Sequence, residues 1–218
     1  MPFDSLAQAT MVVRQVANVT HAGQPARAVV ATRDYPTHID DLWNAITEKE
    51  RIPRWFAPVS GDLELGGRYQ IKGNAGGTVT ACEPPRSFAL TWEFGGGMSW
   101  VEVELAEAGE NATRLTLKHI APLDDKSEEF WDRFGPGAVG VGWDLSLLGL
   151  AWHLETGEAV QKRFAEETWP LSDEGKTFAA WSSEAWTAAS IAYGTAEEAA
   201  TRAGTTTTAF YTGAATPE

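Results

Sequence analysis

Gly135–Leu154 reads GPGAVGVGWDLSLLGLAWHL. Within it Trp143, Leu147, Leu150 and Leu154 fall on one helical stripe, and Val141, Leu145, Leu148 and Trp152 on another. A helix that is apolar on most sides is enclosed by other structure rather than laid on a surface. Its glycines each cost about 1 kcal/mol relative to alanine in a helix interior, so close packing of neighbours is the reason to keep them. The run from Ala138 to Leu154 also contains Asp144 and His153 and is short for a bilayer span, so membrane insertion is not expected. Other elements must wrap this helix.

Upstream, from Val59 to Ile120, the period changes from helical to alternating. Gly66–Gly67 punctuates a hairpin, after which Tyr69 and Ile71 alternate with Arg68, Gln70 and Lys72. The stretch 73–77 and the pair Pro84–Pro85 mark further turns. Phe88, Leu90, Trp92 and Phe94 then alternate with smaller or polar residues, as do Val101, Val103 and Leu105, and finally Leu115 and Leu117. Such a meander implies an antiparallel sheet with one buried face. Ahead of it, Ala26–Tyr35 reads as a strand, and Met11–Val16 as a short strand in an otherwise weakly patterned N-terminal segment. Ile39, Leu42, Trp43 and Ile46 form a helical face, with Thr37 and Asp40 as an acidic variant of the capping box. Thr47 and Glu50 repeat that signature for a second short helix ending at Trp55–Phe56. A polar segment carrying Phe130, Trp131 and Phe134 follows the sheet. Beyond Leu154, Ser172 opens a helix whose stripe is Phe178, Trp181, Ala185, Ala189 and Ala192, ended by Gly194. Thr195 and Glu198 open a last helix running toward Phe210 and Tyr211.

Composition narrows the function classes. The 218 residues include ten Trp and nine Phe, which suits a large core, a lined cavity or a sizeable interface. A formal net charge of −13 repels nucleic-acid phosphates and anionic lipid surfaces. One cysteine, Cys82, excludes an intrachain disulfide framework and a cysteine-rich zinc site. His21, His38, His119 and His153 are scattered and no H-E-x-x-H occurs, so neither a metal nor another cofactor is expected. MPFDSLAQATMVV lacks a basic stretch followed by an apolar one, so the expected location is cytoplasmic.

The segments RDYPTHIDDLWNAIT, IPRWF, GDLELGGRY, EPPRSFALTWEF and TRLTLKH, in that order, resemble the group of homologues of the activator of heat-shock-protein-90 ATPase. That group lies within the SRPBCC superfamily, also called START-like or birch-pollen-allergen-like. The resemblance implies an α+β helix-grip fold. It has a curved antiparallel sheet of about seven strands around a long C-terminal helix, with two short helices. It covers about residues 27–155, leaving 1–26 as an N-terminal segment and 156–218 as a helical extension like that of some bacterial members. It further implies a cavity between sheet and helix that often takes a lipid, steroid, polyketide or other apolar molecule.

His119, on the expected inward face with Leu115 and Leu117, is the candidate acid or base. The alternative is a strand-end histidine satisfied by backbone or water. Trp55, Phe56, Tyr69, Trp92, Phe94, His119, Trp143 and Leu147 are the candidate ligand-lining residues; several could equally fill a core. Glu93, Glu102 and Glu104 are expected on the solvated face. Three functions remain open: binding of a small apolar ligand, an enzyme of the polyketide-cyclase or hydrolase kind using His119, and an interaction or stress-related co-chaperone-like protein. The third would be a homodimer through its C-terminal helices.

Overall fold

Alternation in the sequence becomes burial in the sheet. In the last strand, β8 (Ala112–Pro122), Thr113, Leu115, Leu117 and His119 are buried and Arg114 is exposed; in β7 (Gly97–Gly109) Val101, Val103 and Leu105 are buried. A computed structural model describes residues 3–164 and 168–214. Its other strands are β1 (Val13–His21), β2 (Gln24–Tyr35), β3 (Val59–Gly61), β4 (Arg68–Ile71), β5 (Gly76–Glu83) and β6 (Ser87–Phe94). All eight make one curved, unclosed antiparallel sheet in the order β1-β2-β8-β7-β6-β5-β4-β3. The helices are α1 (Ser5–Thr10), α2 (Ile39–Thr47), α3 (Asp125–Phe134), α4 (Gly137–Thr156), α5 (Asp173–Tyr193) and α6 (Glu197–Thr212). This is a helix-grip fold, with α4 as the gripped helix: Val141, Leu147 and Leu150 share one core with Val29, Val103, Leu105, Leu115 and Leu117. Among the described residues no helix is long and apolar enough to cross a membrane.

The sheet has one strand more than the expected seven or so. The addition is β1, which pairs with β2 from Val13↔Thr32 to His21↔Gln24, well past the short Met11–Val16 strand read from sequence. Three cap readings are corrected. The helix α2 has His38 at its N-cap with no side-chain bond, and the Thr37 hydroxyl instead donates to the Asp41 carboxylate at 2.7 Å. A charged acceptor makes the stronger hydrogen bond. Thr47 donates back to the Trp43 carbonyl at 2.7 Å, and only a 3-10 turn, Ile52–Arg54, follows. Ala196, not Thr195, stands at the N-cap of α6, while the Thr195 oxygen accepts from Ser190. The Ser172 cap forms as read, accepting from the Gly175 N–H at 3.1 Å, and left-handed Gly194 ends α5. The polar segment after the sheet is helical: α3 is capped by Asp124, and its apolar stripe is too short to register against its charges.

Close approach explains two glycines of α4. A methyl group on Gly140 would land inside the Trp186 ring, and one on Gly149 would strike the Trp55 carbonyl oxygen. Trp186 is fully buried there and donates to Asp144 Oδ2 at 3.0 Å. The same oxygen accepts from Arg14 Nε of β1 at 2.9 Å and from the Ser182 hydroxyl of α5. One carboxylate inside the most apolar helix therefore ties the first strand and the tail to the core. Burial pushes its pKa up, against the pull of Arg14, Ser182 and Trp186.

Candidate functional site

Two cavities lie along α4. The inner one, about 160 Å³, sits between the concave face of the sheet, the α2 region and α4. Tyr69 of β4, Trp92 of β6, Val103 of β7, Leu117 of β8 and Leu147 of α4 are among its walls. The polar groups on its walls are largely engaged. The Tyr69 hydroxyl donates to the Thr91 carbonyl at 2.7 Å, Ser146 to Gly142 O at 2.8 Å, and Thr47 to Trp43 O. Burial of Tyr69 raises its pKa, keeping it neutral. The inner cavity thus offers apolar contact and few free hydrogen-bond donors.

The outer chamber, about 410 Å³, lies where the ends of β6, α3, α4 and α6 meet. Phe130 and Phe134 come from α3, and Thr207, Phe210 and Tyr211 from α6. An aromatic partition shared by both spaces divides them. Trp143 stacks on Phe56 (6.5 Å between centroids, 19° between planes) and packs against Trp92 at 5.2 Å.

His119 holds that partition. The register places it opposite Val29 and Val101, in the middle of the sheet. The Trp143 indole N–H, which can only donate, gives its hydrogen to His119 Nδ1 at 3.2 Å. Nδ1 is therefore the unprotonated nitrogen, and Nε2–H donates to the Ser99 hydroxyl at 2.9 Å. Ser99 passes its own hydrogen to the Trp92 carbonyl at 3.3 Å. Burial without a charged partner lowers the His119 pKa to about 4, so the ring is neutral at pH 7. With both nitrogens engaged, His119 orients Trp143 directly and, through Ser99, meets the main chain at Trp92.

The remaining candidates divide between these spaces. Trp55 borders the inner cavity and donates to the Ala45 carbonyl at 2.7 Å, anchoring the turn after α2. Phe56 reaches both spaces; Phe94 is 60% exposed and stands on the outer rim. Glu93, Glu102 and Glu104 meet Arg68 or Lys118 on the outer face. Sequence reading missed the residues that α3 and α6 bring to the outer chamber. Phe210 and Tyr211 were legible as a helix end, but their return onto Ala138 is a tertiary event without a local signal. Among the described residues, no cluster of His, Cys, Asp or Glu could hold a metal ion.

A sheet clasping one buried helix, with an aromatic-lined hollow between, defines the START-like class of helix-grip proteins. Residues 36–155 match the family described as Activator of Hsp90 ATPase homolog 1-like protein, and the chain belongs to that family. The crystal structure of CalU16 from Micromonospora echinospora is 29% identical, with a TM-score of 0.65 over 83% of this chain and 98% of that one. The solution structure of CalU16 gives 31% identity and a TM-score of 0.66 over 84% and 97%. DynU16, a protein in the dynemicin biosynthetic locus, is 25% identical with a TM-score of 0.54, over 61% of this chain and 49% of that one. No curated protein matches the chain. The likeness to CalU16 spans more of the chain than the family match does.

Proposed function

We propose that the protein binds a small apolar molecule in the hollow between its sheet and α4, without transforming it. The observation that carries this reading is the inner wall: an apolar surface whose hydroxyls spend their hydrogens on main-chain carbonyls, so that a ligand meets apolar contact and few free donors. The hydrogen bonds of His119 support positioning of Trp143 rather than acid or base chemistry. Most of the apolar stripe of α5 packs inside its own chain, against α4 and β1, which supports a binder that acts as a single chain over a dimer joined through this helix. The net charge of −13 and single cysteine suit a cytoplasmic protein. The likeness to a protein of a biosynthetic locus makes biosynthetic intermediates the first ligands to screen. Solvent extraction of the purified protein and mass spectrometry is expected to release an apolar molecule in stoichiometric amount. Neither the parent nor His119→Ala is expected to turn over the compounds that the protein binds; turnover by the parent that His119→Ala abolishes would overturn this part of the reading. Protein that comes out empty and then takes up no apolar compound overturns the proposal.

A further inference from the structure

The sizes of the two spaces assign them different tasks. An engineered apolar cavity of about 150 Å³ holds a single benzene ring, and the inner cavity is about 160 Å³. Sites for drug-sized molecules run from about 300 to 1,000 Å³, and the outer chamber, at about 410 Å³, falls in that range. We infer that the outer chamber, roofed by α6, is where the body of the ligand sits, and that it takes a neutral fused-ring aromatic bearing a hydroxyl donor. This rests on the ligand-binding reading above and adds Thr207, Phe210 and Tyr211 of the C-terminal extension to walls that otherwise come from the family-matched region 36–155.

The ring system follows from the walls. Phe94, Phe130 and Phe210 are 60%, 50% and 67% exposed, yet all three turn toward one opening, with Phe134 beside Phe130 (5.1 Å) and Phe210 (6.1 Å). Aromatic faces left open around one space are surfaces for another aromatic to stack on. Trp92 and Trp143 form the floor. The hydroxyl donor follows from hydrogen-bond accounting. Tyr211 donates to the Ala138 carbonyl at 2.9 Å, Thr207 to Phe134 O at 2.7 Å, and Ser146 to Gly142 O. Each hydroxyl has one hydrogen to give and two lone pairs to accept with. Thr207 is wholly buried, but the remaining lone pairs of Tyr211 and Ser146 are left as acceptors, and a ligand O–H supplies what they lack. A neutral ligand suits a chain of net charge −13 better than an anionic one.

The probe is 2-naphthol, with 2-methoxynaphthalene as the control that has the same ring system and no donor. Binding is followed by titration calorimetry and by quenching of tryptophan emission. The full chain is expected to bind 2-naphthol at least fivefold more tightly than 2-methoxynaphthalene. Val139→Trp, which fills the outer chamber, is expected to weaken 2-naphthol at least tenfold. Leu117→Phe, which fills the inner cavity, should change it less than twofold. Tyr211→Phe should reduce 2-naphthol to the affinity of the control. Should Val139→Trp fail to fold, Phe210→Ala on the exposed rim replaces it, with a threefold or greater loss expected. Binding lost in Leu117→Phe but kept in the outer variants overturns the placement while leaving ligand binding intact. Equal affinity for the two naphthalenes overturns the hydroxyl assignment. A parent protein that binds neither compound, nor any other apolar one, removes the underlying proposal instead.

Discussion

At the scale of single residues, His119 is the informative case. Alternation along β8 placed it on the inward face beside Leu115 and Leu117, and that much was legible in the sequence. Its partners were not, because Ser99 arrives through the β7–β8 register and Trp143 from a helix 24 residues away in sequence. Neutral burial has a consequence for stability. The unfolded histidine titrates near 6.5 and the folded one near 4, so between those values the unfolded state holds more protons. The contribution is fully present above pH 6.5 and is lost as pH falls through the folded value. It amounts to about 3 kcal/mol. Urea unfolding of the parent and of His119→Gln, compared at pH 7 and pH 4, should show the difference between them moving by about that amount in favour of the variant. A difference independent of pH would mean that the imidazole is not held neutral.

At the scale of elements, strands were easier to read than their neighbours. The meander from β3 to β8 announces itself through period two and glycine turns, and α4 through its enclosed stripes. The short α3 and the caps of α2 and α6 were misread because a hydroxyl chooses among competing local acceptors, and sequence spacing does not rank them. Asp144 escaped for another reason: a lone acid in an apolar run carries no hint of which distant cation will meet it. That cation is Arg14, and with Ser182 and Trp186 it converges on one carboxylate oxygen, while Asp144 Oδ1 has no partner among the described residues. Removing one side of a buried pair strands the other. Arg14→Met is therefore expected to destabilise the chain by roughly 3–5 kcal/mol, and Arg14→Met with Asp144→Leu to recover most of it. Chemical denaturation of the parent and the two variants measures this. A single variant no less stable than the double one would show that stranding Asp144 carries no penalty.

At the scale of the whole molecule, the helical tail behaves as part of the core. Trp186 lies in the notch at Gly140, Phe178 and Trp169 pack near Leu148, and Tyr211 and Thr207 bond back to the main chain around α3 and α4. A chain ending before residue 170 should expose the apolar flank of α4, bind more hydrophobic dye and gain mass in light scattering. Unchanged dye binding and mass would contradict this account of the tail. The sheet adds a second consequence. Among the described residues its order leaves the nine-residue β1 with a strand partner on one side only, and α5 lies against it, Tyr193 donating to Asn18. Proteolysis that strips α5 would unguard a long extended margin whose amides and carbonyls can template further copies. The damaged species should then grow into cross-β fibrils rather than accumulate as amorphous precipitate.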